Sequence, residues 1–307
     1  MTVPVLLDCD PGHDDAIAIL LALASPEIEL LGVTTVAGNQ TLAKVTANAI
    51  RVLELVGRGD VPVAAGADRP LVREQLVADF VHGDTGLDGP ALPPPRGAPL
   101  ERHAVDVLAE RIRERDGRVV LVATGPLTNV ALLLALHPVA RPERIVVMGG
   151  AVAEGNVTPA AEFNVWADPE AAQRVFASGV DVTMIGLDVT HRALMRRDHA
   201  ERMRAAGRVG RFVAELWDFF SRFHLETYGS EDSPVHDALA LVHAFRAGLV
   251  ETRFVNVEVD CESSLCRGRT VVDVWRRSGR EPNVHVGLAV DGEAFVELLV
   301  ERIRSLG

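Results

Sequence analysis

Short apolar runs rich in β-branched residues alternate with longer helical patterns along most of the 307 residues. The predicted strands are Val3–Leu7, Leu30–Thr35, Val119–Ala123, Arg144–Val147 and Val182–Ile185. The predicted helices between them are Asp14–Ala24, Thr41–Val56, Glu101–Arg115, Leu127–Leu136 and Pro169–Ser178. This alternation is typical of parallel strands joined by helical crossovers. We therefore predict an α/β fold, a doubly wound and mostly parallel sheet with helices on both faces.

Two stretches interrupt this alternation. Residues 66–100 look like a loop and contain three consecutive prolines at 93–95. Residues from about 195 to 243 form a mostly helical insertion with a polar gap at 228–234, which we expect near the active site. Neither stretch has the composition of a flexible linker, so we predict a single domain over residues 1–307. The helix Asp14–Ala24 is apolar on all sides, which predicts burial inside that domain.

Composition excludes several classes of protein. The formal net charge is −12 and no block of Lys and Arg stands out, so nucleic acid and anionic membranes would be repelled. No apolar run approaches the ~18 residues of a membrane span, and the first ten residues lack a basic signal-peptide region. Three cysteines, two of them close together, make no disulfide framework. We expect a cytoplasmic globular protein.

Four carboxylates follow the first predicted strand within eight residues: Asp8, Asp10, Asp14 and Asp15. A Pro-Gly turn between them opens a helix, whose N-terminal dipole stabilises a nearby negative charge by only ~0.3–1 kcal/mol. That cannot offset several like charges in a partly buried turn, whereas a bound cation would. All-oxygen ligands without a histidine or thiolate pair favour Ca²⁺ or Mg²⁺ over Zn²⁺. The alternative is an N-capping, solvated acidic turn, which the number of acids disfavours.

Polar residues also follow the other predicted strands, where ligands bind in open parallel sheets. Asn39 follows the second strand, Thr124 the third, and a polar loop with Asn156, Glu162 and Asn164 comes after the fourth. Singly, Asn39 is an ordinary turn residue and Thr124 an ordinary helix cap. Together these residues predict a site for a small polyhydroxylated ligand.

A second acidic position lies far along the chain, where His236 and Asp237 open an apolar helical run. Asp237 could be an N-cap and His236 a loop residue. Alternatively, Asp237 is another metal ligand and His236 a proton donor, because histidine titrates near neutral pH. These residues alone leave both interpretations open.

Nine segments together resemble the inosine-uridine preferring nucleoside hydrolase family. In chain order they are DCDPGHDDAIAILLALASPE, VAGNQT, VHGDTGLDGPALP, ATGPLTNVALLL, MGGA, GNVTPAAEFN, DPEAA, GLDVTH and HDA. They run from residue 8 to about residue 238, so the resemblance covers most of the chain, and its opening motif is highly specific. The family's fold is a mostly parallel α/β sheet. The resemblance therefore implies an enzyme that hydrolyses the N-glycosidic bond of ribonucleosides with a Ca²⁺-bound water.

The resemblance also implies roles for the matching residues. The Ca²⁺ ligands would be the side chains of Asp10, Asp15 and Asp237 and the carbonyl oxygen of Thr124, completed by the ribose diol and one water. Asp10 would also take the proton of that water, and His236 would help the departing base accept a proton. The implied substrate contacts are Asp14 and Asn39 to the ribose diol, Asn156, Glu162 and Asn164 to its 5′ side with Met148 nearby, and His82 in the base pocket.

Within the family, the motifs are most similar to the bacterial hydrolases specific for pyrimidine nucleosides, which makes uridine and cytidine the expected substrates. Two departures affect this assignment: HDA replaces the commoner HDP at 236–238, and residues 228–234 match less clearly. Tyr228, the only tyrosine, is either a base contact or a loop anchor. A homodimer or homotetramer is the assembly that the resemblance implies.

Three alternative functions remain at this point. The first is a purine-preferring or non-specific nucleoside hydrolase. The second is a non-catalytic protein that binds calcium or a nucleoside, which the complete set of competent residues disfavours. The third is a phosphohydrolase similar to the haloacid dehalogenases, suggested by Asp8-Cys9-Asp10 after a strand. That chemistry normally needs a lysine near the phosphate, and the only lysine, Lys44, lies on a helix that we predict to be solvated.

Overall fold

The computed structural model describes residues 2–307, and its centre is an eight-stranded sheet. The strands of the chain are β1 Val3–Cys9, β2 Ile28–Thr35, β3 Val63–Ala65, β4 Val120–Ala123, β5 Arg144–Met148, β6 Asp181–Ile185, β7 Leu194–Met195, β8 Ser233–Pro234, β9 Val250–Val255, β10 Val257–Val259, β11 Thr270–Val272 and β12 Val284–Val290. The pairs β7–β8 and β10–β11 form two small separate antiparallel sheets.

The order of the large sheet is β3-β2-β1-β4-β5-β6-β12-β9. Every pair of neighbours is parallel except β12 and β9 at the edge. The strand order reverses direction between β1 and β4, where the crossovers diverge and a crevice opens beyond the carboxyl ends of the strands. The doubly wound, mostly parallel sheet is confirmed. The sequence pattern did not predict β3, or β9 and β12, which extend the sheet beyond β6.

Helices cover both faces of the sheet. They are α1 His13–Ala24, α2 Leu42–Leu55, α3 Asp79–His82, α4 Ala104–Glu114, α5 Thr128–Leu136, α6 Phe163–Ala167, α7 Pro169–Phe176, α8 Leu187–Thr190, α9 Arg197–Arg204, α10 Arg208–Tyr228, α11 His236–Phe245 and α12 Gly292–Arg304, with a short 3₁₀ turn at Ala247–Leu249. One apolar core lies under α1, α2 and α9 to α12, and a second lies under α4, α5 and α7. Successive side chains of β1 point to opposite faces of the sheet, so Val5 and Leu7 pack in the first core and Leu6 packs in the second.

The helix α1 is buried over His13–Ala22, as its uniformly apolar sequence predicts. It begins after Gly12 and ends at Ala24 with Ser25 as its C-cap, because Pro26 cannot continue a helix. It packs against α11 and α2 inside the first core. The first turn of α1 is therefore held rigidly at the crevice beyond β1.

Both irregular stretches contain more order than predicted. The stretch 66–100 includes the single-turn helix α3, and the insertion contains α10, which continues to Tyr228, so the polar gap is limited to residues 229–232. The last helix of the insertion, α11, packs against α1 and β5 and belongs to the main fold. Within residues 2–307 no helix combines the length and the apolar character that crossing a bilayer would require.

Candidate active site

The acidic turn lies at the crevice where the sheet order reverses. After β1, the chain turns at Pro11-Gly12, so that Asp14 and Asp15 occupy the first turn of α1. The Asp15 carboxylate accepts a hydrogen bond from the backbone N–H of Gly12 at 3.1 Å, which caps the helix. The positive end of the helix dipole thus faces the two carboxylates.

Asp10 is completely buried beside this turn. Its Oδ2 accepts a hydrogen bond of 2.6 Å from the backbone N–H of Asn39, whereas its Oδ1 is buried with no hydrogen-bond partner among residues 2–307. Two glycines give the carboxylate its space, since a Cβ atom at Gly38 would lie 2.1 Å from Oδ2 and one at Gly125 would lie 2.7 Å from Oδ1. The free oxygen Oδ1 is the atom of Asp10 that can bind a cation or a proton.

Asp15 connects the neighbouring strand ends. Its Oδ1 accepts from the Thr124 hydroxyl at 2.8 Å, and its Oδ2 accepts from the Asn39 side-chain amide at 3.2 Å. The carbonyl oxygen of Thr124 accepts from the Asn164 side chain at 2.7 Å. Thr124 is not a helix cap, because α5 begins only after Leu127. The polar residues that follow β2 and β4 therefore converge on the acidic turn.

Asp237 reaches the same place from α11. It lies in the first turn of this helix, whose N-cap is Val235, so the interpretation of Asp237 as the N-cap is wrong. The carboxylates of Asp14, Asp15 and Asp237 offer oxygen atoms that all lie within 4.8 Å of one another. This group shares Asp15 and Asp237 with the predicted metal ligands and contains Asp14, whereas Asp10 lies just behind it.

Burial raises the pKa of the carboxyl groups of Asp10, Asp14, Asp15 and Asp237. It is the largest cause of the raised pKa of Asp10, Asp15 and Asp237 and brings the pKa of Asp14 to about 7. The neighbouring carboxylates raise the pKa of Asp10, Asp14 and Asp237 further, and no basic side chain is among the causes. Like charges in a buried site need a cation to remain ionised together. The oxygen-only donor set and the unpaired Asp10 Oδ1 fit a hard metal ion.

A cavity opens above the carboxylates. Of the predicted site residues, those that line it are Asp14, Asn39, His82, Thr124, Met148, Asn156, Glu162, Asn164, Tyr228, His236 and Asp237. Asp10 and Asp15 lie beneath this lining, bonded to Asn39 and Thr124. The fold therefore brings every predicted site residue to one place, although these residues are spread over more than 220 positions of the sequence, from Asp10 to Asp237.

The loop after β5 shapes one side of the cavity. Glu162 is buried and caps α6, with Oε1 accepting from the backbone N–H of Asn164 at 2.9 Å and Oε2 from that of Gly150 at 2.9 Å. Burial raises the pKa of Glu162. The Asn156 side-chain oxygen accepts from the Phe163 N–H at 2.9 Å. These hydrogen bonds hold the polar side chains of the loop at the surface of the cavity.

Histidines and aromatic rings form the opposite side. His236 lies at the start of α11, where its Nδ1 contacts the Thr190 hydroxyl at 2.8 Å and its ring meets that of His191 edge-on. Burial lowers the pKa of His236 well below its usual value. Burial also lowers the pKa of His82 strongly and that of His224 to about 4. This side of the cavity is therefore neutral.

The sequence did not predict several residues that line this side: Phe220, Phe223 and His224 on α10, and His191 after α8. The residues 220, 223, 224 and 228 follow the i, i+3, i+4, i+8 spacing of one helical face, which is the signal that could have found them. Tyr228 ends α10, half exposed, with its ring 4.9 Å from that of His224. It is a helix residue that lines the cavity, so the loop-anchor alternative is wrong.

Comparison with known proteins agrees with this geometry. Residues 5–297 match the family model described as inosine-uridine preferring nucleoside hydrolase. The chain is 51% identical to the pyrimidine-specific ribonucleoside hydrolase RihA of Salmonella arizonae, with 100% of both chains covered. It is also 51% identical to the protein of that name from Shewanella sp. strain ANA-3, covering 99% of this chain and 96% of the relative.

Solved structures give the same result. The plant nucleoside hydrolase PpNRh1 superposes with a TM-score of 0.93 at 34% identity and covers 99% of this chain and 100% of its own. The purine-preferring ribonucleoside hydrolase from Gardnerella vaginalis gives a TM-score of 0.93 at 34% identity, covering 99% and 98%. The chain thus belongs to the inosine-uridine preferring nucleoside hydrolase family and is an enzyme that hydrolyses nucleosides.

Proposed function

We propose that the substrates are the pyrimidine ribonucleosides uridine and cytidine, which are cleaved to ribose and free base with Ca²⁺ as the resident metal. The observation that carries this proposal is the pairing of two surfaces in one cavity. Four buried carboxylates form its floor: Asp14, Asp15 and Asp237, whose oxygens lie within 4.8 Å of one another, and the neighbouring Asp10. A neutral wall of histidines and aromatic rings faces them. The floor suits a cation and a sugar diol, and the wall suits an uncharged base.

The residues that would hold the metal are Asp10, Asp15 and Asp237 through their side chains and Thr124 through its carbonyl oxygen. When bound, Ca²⁺ supplies positive charge that orients a water molecule and the ribose 2′- and 3′-hydroxyls together. The choice of Ca²⁺ over other hard cations rests on the family resemblance. The number of oxygen ligands agrees with it.

Asp10 is the proposed proton acceptor for the attacking water. The Asn39 N–H holds its Oδ2, which leaves the buried Oδ1 without a partner and available for the proton. Asp14 and Asn39 line the cavity beside it and would hold the ribose diol. A substrate without the 2′-hydroxyl would lose one of these contacts, so deoxyuridine should be a poor substrate.

The sugar develops positive charge as the base departs, and the acidic floor stabilises that charge. His236 is the proposed proton donor to the base: it is neutral in the absence of substrate, and the negative charge that develops on the departing base would favour its protonated form. Its contact with the Thr190 hydroxyl fixes the orientation of its ring. Asn156, Glu162 and Asn164, with Met148, would contact the 5′ side of the ribose, while His82 and Tyr228 would contact the base.

The preference for pyrimidines rests on the relatives. The curated proteins that share 51% identity over nearly the whole chain are named pyrimidine-specific, whereas the purine-preferring neighbour is only 34% identical. We further propose a single domain over residues 1–307, since β1 and β12, from the two ends of the chain, belong to one sheet. A homodimer or homotetramer is the proposed assembly, which light scattering after gel filtration would test.

The decisive experiment is a reducing-sugar assay of the purified protein on uridine, cytidine, inosine, adenosine and deoxyuridine. We expect release of ribose from uridine and cytidine, loss of activity in a chelator and recovery with added Ca²⁺. Faster cleavage of inosine than of uridine would replace the pyrimidine assignment with a purine-preferring one. Stoichiometric nucleoside binding without ribose release would identify a binding protein. Undiminished activity of the protein after metal removal would show that the reaction does not need a metal.

A further inference from the structure

A buried pair of histidines lies directly behind the base side of the cavity. Nδ1 of His13, in the first turn of α1, is 2.9 Å from Nδ1 of His82, at the end of α3. Both rings are buried and nearly parallel, with centroids 5.2 Å apart and their Nδ1 edges facing each other, and Phe219 stacks on His13 with centroids 5.0 Å apart. His82 lines the cavity, whereas His13 does not. The proposed function gives His13 no role.

The hydrogen bonds of this pair determine which ring nitrogens carry protons. Nε2 of His13 lies 2.8 Å from the backbone carbonyl oxygen of Asp88, which can only accept. Nε2 of His13 must therefore carry the proton, and in a neutral ring Nδ1 is then an acceptor. The short contact between the two Nδ1 atoms needs one donor, so Nδ1 of His82 is protonated. Its Nε2 is left unprotonated.

The turn that follows α3 holds the Asp88 carbonyl in place. The Asp88 carboxylate accepts from the backbone N–H of Asp84 at 3.0 Å and from that of Thr85 at 3.1 Å. Gly83 has φ +74°, and a Cβ atom there would lie 2.1 Å from the same carboxylate. The segment HGDTGLDG thus folds as one unit that presents both His82 and the Asp88 carbonyl to His13.

One interaction opposes this arrangement. The backbone N–H of His13 also points to Nδ1 of His82, at 3.4 Å, and by itself it favours an unprotonated Nδ1. That contact is long, whereas the ring-to-ring contact is 2.9 Å, so the side chain of His13 prevails. Without this side chain, the backbone N–H would invert the tautomer of His82.

Within residues 2–307, Nε2 of His82 forms no hydrogen bond, and the ring lines the cavity. We propose that His13 is a positioning residue that holds His82 in the Nδ1–H tautomer, so that its Nε2 presents a hydrogen-bond acceptor to the nucleobase. The inference rests on the proposed function, because it assumes that a base occupies this side. Such an acceptor selects a base that offers an N–H, as uracil does at N3 and cytosine does at its 4-amino group.

The first test measures the tautomer directly. Protein labelled with ¹⁵N-histidine gives two-bond ¹⁵N–¹H correlations that distinguish protonated from unprotonated ring nitrogens, and the signals of His82 are those missing in His82→Asn. We expect a protonated Nδ1 and an unprotonated Nε2 for His82 in the unmodified enzyme without substrate. A protonated Nε2 would overturn the proposal, whatever the kinetic results.

Two variants of His13 separate its hydrogen bonds. His13→Gln keeps an amide donor for the Asp88 carbonyl but places no acceptor beside Nδ1 of His82. His13→Asn places its side-chain oxygen where Nδ1 of His13 was. We expect His13→Gln to invert the His82 tautomer in the NMR spectrum and to lower kcat/KM for uridine about tenfold, because one hydrogen bond to the base is lost. His13→Asn should retain the wild-type tautomer and most of the activity.

The controls separate this effect from simple loss of packing. Phe219→Leu disturbs the stack on His13 and leaves its nitrogens unchanged, so kcat/KM for uridine should stay within about twofold. p-Nitrophenyl riboside has no N–H on its leaving group and should be cleaved equally by His13→Gln and the wild type. Equal losses on both substrates, or losses in Phe219→Leu that match those of His13→Gln, would reduce His13 to a structural residue. Failure of the wild type to cleave uridine would refute the proposed function, while the NMR result would still decide the tautomer.

Discussion

The floor and the wall of the cavity differ in charge, in origin and in what burial does to them. The floor consists of Asp10, Asp14, Asp15 and Asp237, whose pKa values burial raises. The wall contains His82, His224 and His236, whose pKa values burial lowers. Burial penalises the charged form in both cases, so it acts in opposite directions on acids and bases.

This difference has a chemical consequence. The floor can keep its negative charges only when a cation joins them, and those charges then stabilise a positively charged sugar. The wall stays neutral without any partner and can hold an uncharged base through stacking and hydrogen bonds. In the proposed binding mode one cavity thus treats the two halves of a nucleoside in different ways, and variants of the floor can be tested against variants of the wall.

The largest effect should come from the floor. Asp10→Asn removes the proton acceptor and weakens the metal site, so we expect kcat to fall by about 10³-fold or more, while the fold is kept. Initial rates of ribose release from uridine measure this, with circular dichroism to check the fold. Asp60→Asn is the matched control, because Asp60 is an exposed carboxylate paired with Arg58 and far from the acidic turn in sequence. Near wild-type turnover of Asp10→Asn would refute its role.

The effect of a substitution in the wall should depend on the leaving group of the substrate. His236→Ala removes the proposed proton donor, so we expect kcat for uridine to fall about 10²-fold. The loss should be much smaller for p-nitrophenyl riboside, whose leaving group needs no proton. His285→Ala, at a partly exposed histidine on β12, is the control for general effects of removing an imidazole. Equal losses of kcat on the two substrates would show that His236 is not the proton donor.

The floor also predicts how stability depends on pH. A carboxyl group whose pKa is higher in the folded than in the unfolded protein stabilises the fold below its unfolded pKa, and this stabilisation is lost as the pH rises through the folded value. For Asp14 that window extends from its ordinary value of 3.8 to about 7. The metal-free protein should therefore melt at a lower temperature at pH 8 than at pH 5.

Added Ca²⁺ should reverse this loss at pH 8. At a free concentration 100-fold above Kd it would stabilise the fold by about 3 kcal/mol, which corresponds to about 5 °C in Tm. The gain should be smaller at pH 5, where protons compete for the carboxylates. Differential scanning fluorimetry with chelator, Ca²⁺ or Mg²⁺ at both pH values measures it. A melting temperature that is independent of pH and metal would show that the floor does not bind a cation.

The smallest effect should come from the rim of the wall. Tyr228 is half exposed and packs against His224 with tilted rings, so Tyr228→Ala should raise KM for uridine about fivefold with little change in kcat. Leu225→Ala is the control, because Leu225 is similarly exposed on α10 and does not line the cavity. Unchanged KM in Tyr228→Ala would place the base away from this ring.

The two halves also differed in how well the sequence predicted them. Asp10, Asp14 and Asp15 were recognised because they lie together in a turn after a strand, where like charges repel one another unless a cation binds. Asn39 and Thr124 were less distinctive alone, but carboxyl ends of parallel strands meet at one edge, which made their convergence predictable. The wall was predicted only in part. The residues alone left the role of His236 open and gave Tyr228 two alternatives, His82 came from the family resemblance, and Phe220, His191 and His224 were missed. Their positions depend on how α10 and the turn after α8 pack over the sheet.

The sequence by itself determined most of the strand and helix pattern, the position of the sheet edge where polar residues gather, and the acidic character of the site. These follow from local periodicity and from residue types that few other contexts tolerate. Only the tertiary structure decided that Asp237 lies beside Asp14 and is not an N-cap, that Asp10 keeps one free oxygen, and that His82 meets His13 through Nδ1. Those features depend on contacts between segments far apart in the chain, and packing alone brings such segments within hydrogen-bonding distance.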